Sequence, residues 1–233
     1  MQRQEFSSKI HNFAFPGATV ENDLCDQLSS FTRLPALDSD RTTYCTLNPF
    51  LLSFLAEFVL QVIFMGINDC GNTDRDELDP IIEKIFDTLH HLYVKTKARS
   101  FVLINVPPID RSPQGINYST HTEPLNPPCI AINSEIAEVV EERVKTWNDL
   151  LHEQAAEFGL TYKDGTLFLF SSHQLLMDVL DDPLEYDFTE DDVTTEVGGI
   201  WADDLHLTSE VHDILGEQLL KALAIQFENV DAE

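Results

Sequence analysis

The chain has 233 residues, 43% of them hydrophobic and 9% aromatic, which suits one sizeable core in a single domain and excludes a disordered polymer. Its 14 Lys and Arg stand against 41 Asp and Glu, a formal net charge of −27 that sets it against nucleic acid and anionic membrane surfaces. Solubility, acidic working conditions and an extracellular setting all remain compatible with that charge.

In chain order, MQRQEFSSKIHNF lacks the apolar core of a signal peptide, so the protein is expected either to stay in the cytosol or to lack its natural beginning. Residues 11–15 (HNFAF) read as a short strand ending at Pro16-Gly17, with a helix starting near Val20. Residues 33–58 fit no strand–helix alternation: the first half is loop-like and the second almost uniformly apolar. Residues 50–65 are interrupted by Ser53, Glu57 and Gln61 and fall short of the roughly 20 apolar residues that span a bilayer, so no membrane span is expected. QVIFM (61–65) reads as a buried strand. Asp79-Pro80 then opens a helix, with aspartate as N-cap, whose Ile81, Ile82, Ile85, Leu89 and Leu92 recur at helical spacing.

SFVLINV (100–106) is the next buried strand, stopped by Pro107-Pro108. A long helix is expected over 134–158, closed by Gly159, with Val140, Val144, Trp147 and Leu151 on its apolar stripe. TLFLF (166–170) gives one more strand, and a final helix begins near Thr208. This alternation predicts a parallel sheet covered on both faces, in one domain spanning 1–233.

Cys25, Cys45, Cys70 and Cys129 are widely spaced, without C-x-x-C or zinc spacing, and read as buried thiols or at most one or two disulfides. His152-Glu153 begins H-E-x-x-H, but position 156 is alanine. The acidic run 178–196 has no calcium-loop spacing and is expected to be a solvated loop. No metal site and no cofactor are therefore expected.

Three stretches place polar residues just after apolar runs: FPGATVENDL (15–24), FMGINDCG (64–71) and WADDLHLT (201–208). In the last, a carboxylate three residues before His206 can hold one ring nitrogen and leave the other free to accept a proton. Equally, Asp203 or Asp204 could simply form the turn before the final helix. Asn68 can donate its amide to a developing oxyanion, or merely make a turn. Gly17, without Cβ, lets a backbone N–H approach a substrate oxygen, or serves a plain Pro-Gly turn.

Together and in this order, the stretches resemble conserved blocks of the SGNH, or GDSL-type, hydrolases: NFAFPGATVENDL, GINDCG and DDLH. INVPPIDRSP (104–113), the helix bearing Trp147-Asn148 and FSSHQLLMDVLDDPLEYDF (170–188) extend the likeness, which is nearest to fungal carbohydrate acetylesterases. The resemblance implies a three-layer α/β/α sandwich with a mainly parallel, flavodoxin-like sheet. It implies cleavage of small-molecule or carbohydrate esters by a Ser-His-Asp mechanism without metal, in members often secreted. Carried over by position, His206 is the base, Asp203 its orienting carboxylate with Asp204 the rival, and Gly17 and Asn68 line the oxyanion hole. Leu207 stands where a proline often follows the histidine.

The family's nucleophile, the serine of a G-D-S motif after the first strand, is absent from the sequence, and so is any G-x-S-x-G elbow. The chain is thus expected to be an N-terminally truncated or mis-predicted member lacking the strand between 11–15 and 61–65, with 33–58 an insertion or irregular segment. The alternative is a catalytically inactive relative that acts at most as a binding module.

Overall fold

The computed structural model describes residues 9–33, 42–44, 60–114 and 129–230, with side chains over 11–33, 60–114 and 138–224. One parallel sheet runs β1 (Lys9–His11), β2 (Thr42–Tyr44), β3 (Leu60–Phe64), β4 (Ser100–Ile104) and β5 (Thr166–Phe170), in that spatial order. Strands β3, β4 and β5 pair in register along all five residues, Leu60 opposite Ser100 and Ser100 opposite Thr166. The helices are α1 (Val20–Thr32), α2 (Ile67–Asn72), α3 (Leu78–His91), α4 (Cys129–Thr161), α5 (Ser172–Asp181) and α6 (Ser209–Val230).

Because strand side chains alternate, the sheet carries two apolar faces. Ile63, Phe101 and Leu103 point into a cluster with α1, α3 and α4, where Val20, Ile82, Leu89, Trp147 and Leu151 are buried. Leu60, Val62, Val102 and Ile104 point the other way, onto Leu219 and Leu223 of α6. The result is the expected α/β/α sandwich. Its strands advance in one direction across the sheet, so right-handed crossovers put α1, α3 and α4 on the same face.

The gap expected between the first strand and β3 is bridged. Thr42–Tyr44 pairs in parallel with Lys9–His11 on one side and meets Gln61 on the other. Two threonines and a tyrosine suit an extended backbone, and three residues are too few to show a period. The rest of 33–58, apart from Arg33, lies outside the described residues.

Three boundaries differ from the sequence reading. The first strand ends at His11 because the Asn12 side chain accepts a hydrogen bond from the Ala14 N–H at 2.9 Å, an Asx turn that takes the chain out of the sheet. Glu77, not Asp79, is the N-cap of α3, and Pro80 still falls in the first turn, where its missing N–H costs nothing. Gly159 does not close α4, which continues to Thr161. A Cβ at Gly159 would meet nothing within 4 Å, so the residue sits on a free helix face.

Helix α4 grips two strand exits. Trp147, fully buried, packs on Gly66 just past β3. The Asn148 amide exchanges two 2.9 Å hydrogen bonds with Val106 just past β4, accepting from its N–H and donating to its C=O. Asn148→Ala strands both groups of a residue with no exposed surface. The expected cost is about 1–3 kcal/mol, read as a lower urea midpoint at unchanged m-value.

Candidate active site

Of the four residues singled out in the sequence, Gly17 lies in the loop after β1, Asn68 in the short helix α2, and Asp203 and His206 in the turn before α6. Phe15-Pro16-Gly17-Ala18 makes a turn closed by Ala18 N–H donating to the Phe15 carbonyl at 3.4 Å. Gly17 sits at φ +76°, the left-handed region that position i+2 of a type II turn requires after proline. It is exposed, and a Cβ there would meet nothing within 4 Å. The hydrogen bond that closes the turn uses the Ala18 N–H, not that of Gly17.

Asn68 lies in α2, four residues past the end of β3 and two past Gly66, whose φ of +121° breaks the strand. Its amide nitrogen donates to the Ala18 carbonyl at 2.9 Å, across fifty residues of sequence. Gly17 and Asn68 are thus brought to one corner, and one N–H of the Asn68 amide remains beyond that bond. The neighbouring Asp69, 1% exposed, accepts the Val20 N–H on both carboxylate oxygens, at 3.0 and 3.1 Å. Burial raises its carboxyl above the ordinary value, opposed by the N–H groups of Val20 and Glu21 at the start of α1.

Asp203 and His206 form the second pair. Asp203 Oδ2 lies 2.7 Å from His206 Nδ1, while Oδ1 accepts the N–H groups of Leu205 at 2.8 Å and His206 at 2.6 Å. Those two N–H groups, that of His206 first, hold the carboxyl down at about 2. Asp203 is therefore both turn former and imidazole partner, so its two sequence readings coincide. Asp204 instead offers its backbone carbonyl to Gln114 N–H at 2.7 Å, tying the turn to the loop after β4. The His206 ring is 74% exposed, with Nε2 on the side away from Asp203.

The turn is stitched from below. Ala202 N–H donates to the His206 carbonyl at 2.7 Å, and Trp201 bridges Leu207 in antiparallel fashion. Leu207 packs with buried Trp201 and Ile200. The acidic run is more than a solvated loop: Asp192 accepts the N–H groups of Thr189 at 2.8 Å and Gly199 at 2.6 Å, and Trp201 Nε1 donates to the Val193 carbonyl at 2.9 Å. Short acidic helical turns therefore brace the segment that leads into Asp203.

The two pairs share a support: Leu205, between Asp203 and His206, packs on the same apolar cluster as Ala18 and Ile67. Gly17 and Asn68 follow β1 and β3 where the chain leaves the sheet, the edge at which open α/β sheets place ligands, and the Asp204 carbonyl ties the Asp203–His206 turn to the loop after β4. Among the described residues, no group of three or more His, Cys, Asp or Glu side chains converges as a metal site, and no helix is long and apolar enough to cross a membrane. Cys25 is a free exposed thiol and Cys70 a free buried one, which burial pushes up in pKa. The side chains of Cys45 and Cys129 lie outside the described residues.

The sequence reading missed three contributors: Gly66 under Trp147, Asn148 on Val106 and Asp69 on Val20. All three residues fall within stretches that carry the family likeness, GINDCG and Trp147-Asn148, but their contacts had no local signal. Each joins residues tens of positions apart.

Comparison with known proteins supplies the family. An acetylesterase from Thermothelomyces thermophilus is 33% identical over 119 residues, covering 44% of this chain. The chain spans 36% of that relative's length. Residues 1–219 match the family model for GDSL-like lipase/acylhydrolase. With nearly the whole chain inside that match, the protein belongs to the GDSL-like lipase/acylhydrolase family, a family of ester hydrolases.

Proposed function

We propose that this site cleaves acyl esters, acetyl esters of carbohydrates among them, with His206 as general base, Asp203 as its orienting carboxylate, and the Gly17 N–H and Asn68 amide holding the oxyanion. The observation that carries the reading is the 2.7 Å Asp203–His206 contact. It holds Nδ1 and leaves Nε2 on an exposed ring, the arrangement a base needs to accept a hydroxyl proton. In the reaction, a serine oxygen bonds to the ester carbonyl carbon while its proton passes to Nε2. The proton then goes to the departing alcohol, and water, deprotonated by the same base, releases the acid. The acetylesterase relative supports the small acyl group.

The serine belongs to a G-D-S segment that these 233 residues do not contain. In this reading the chain is the nucleophile-less part of a family member, with 33–58 an insertion or irregular segment in it. The same absence favours a second reading, a binding module that keeps the pocket without the chemistry. A fluorophosphonate probe decides between them for the chain as it stands, by testing whether another of its hydroxyls serves as the nucleophile. Labelling of wild-type protein that His206→Ala abolishes, on the order of 10³-fold slower or more, supports catalysis. Folded wild-type protein that takes no label leaves the binding module.

A further inference from the structure

The Asn-Asp pair after β3 has only half its chemistry used by an ester-cleaving site. Asn68 faces the oxyanion corner, while Asp69 is a carboxylate 1% exposed with no part in the reaction. A buried carboxylate is costly unless its oxygens are well bonded, so its presence needs a compensating arrangement. That arrangement lies in the segment following Gly17.

Gly17 cannot hold its own N–H in place. Its turn is closed by a hydrogen bond of 3.4 Å, at the long end of the useful range, and no atom packs where its side chain would be. What fixes the segment is the grip just beyond it. Asn68 Nδ2 holds the Ala18 carbonyl at 2.9 Å, and both Asp69 oxygens hold the Val20 N–H at 3.0 and 3.1 Å. These groups belong to consecutive peptide units on either side of Thr19. Thr19 itself caps α1, accepting the Asn22 N–H and donating its own N–H to Asp23 at 2.8 Å. The positive end of the 13-residue helix α1 favours the negative charge at Asp69.

We infer that Asp69 is the positioning residue of the oxyanion corner: with Asn68 it clamps residues 18–20 to α2, so that the Gly17 N–H and the Asn68 amide move as one unit. The inference rests on the oxyanion roles of those two residues. Adjacent positions in α2 then carry a donor and the anchor that aligns the other donor. An ionised carboxylate is needed because it accepts from Val20 with both oxygens, whereas an amide offers one acceptor and turns two donors toward the N–H groups that begin α1.

The test follows sodium acetate, the anion released from an acetyl ester, by its effect on two signals of ¹⁵N-labelled protein: the Gly17 backbone amide and the Asn68 side-chain amide. In wild-type protein both signals are expected to move together and saturate. In Asp69→Asn, acetate is expected to bind at least about tenfold more weakly, and the two signals to respond unequally, because an ångström of misplacement is enough to separate two donors from one oxygen. The Asp203–His206 turn reports whether the protein stays folded, and Asp69→Ser serves if the asparagine variant does not fold. A purely structural role would lower the melting temperature and leave the acetate dissociation constant unchanged in the folded variant, which would overturn the inference. Wild-type protein in which neither amide responds to acetate would instead sink the oxyanion reading, and the inference with it.

Discussion

Gly66→Ala is expected to destabilise the protein more than any other single methyl group added near the site. A Cβ at position 66 would fall 2.4 Å from Trp147 Cε2 and 2.5 Å from Cζ2, distances real Cβ atoms do not show. The indole is fully buried among the side chains of the α1–α3–α4 face, so it cannot move without displacing them. Overpacking of this kind typically costs about 1–3 kcal/mol. A side chain at φ +121° adds backbone strain on the order of 1–3 kcal/mol. The sum, about 2–6 kcal/mol, is a large part of a total stability of roughly 5–15 kcal/mol, so the variant should unfold at a much lower urea concentration. Circular dichroism with a urea titration measures it; a midpoint within experimental error of wild type would show that α4 slides away freely.

Asp203→Asn is expected to leave folding nearly intact and to remove most of the chemistry. An asparagine oxygen can still accept the N–H groups of Leu205 and His206, so the turn keeps its shape. The side-chain NH₂ then faces Nδ1, or the ring flips, and either way the imidazolium loses its carboxylate. In protein that reacts with the fluorophosphonate, hydrolysis of 4-nitrophenyl acetate should fall about 10³–10⁴-fold in kcat/KM. An undiminished rate would remove Asp203 from the reaction.

The pH behaviour of this pair has a definite sign. Because the folded state holds the Asp203 carboxyl at about 2, below its ordinary 3.8, the stability it contributes is complete above that ordinary value. It is lost only as the pH falls through about 2. Asp203 thus stays ionised through the neutral and mildly acidic range. Half the side chain is open to water, so screening keeps its share of folding stability small. Its weight is on the imidazole.

Long, periodic elements were legible in the sequence. β3, β4 and β5 read as apolar runs because both their faces are covered, and α3 and α6 show their stripes. β2 was not legible, since three residues carry no period and its partners lie at distant positions. The early end of β1 depends on one side chain, Asn12, folding back on Ala14. Gly159 misled because a glycine on an exposed helix face costs only about 1 kcal/mol, a loss the packing of Phe158 and Trp147 in a long helix can absorb.

The candidate site was legible as residue types and not as geometry. D-x-x-H contains its own contact, since three residues suffice to bring Asp203 to His206. Asn68 and Ala18 are fifty residues apart, and nothing local says that the Asn68 amide meets the very next carbonyl after Gly17. Asp69 was the least visible: in sequence an Asn-Asp pair looks like a turn, and its hydrogen bond to Val20 spans 49 positions.

Trp147 and Asn148, neighbours on one turn of α4, touch the exits of β3 and β4 respectively. A single turn of helix therefore holds the register of two strand ends at once, and neither end can loosen alone. Opening at this edge is cooperative: the segment bearing Asn68 and the loop after β4 that ties down the Asp203–His206 turn should exchange their amides with solvent as a single unit. The two halves of the site are separate in sequence and share one lock.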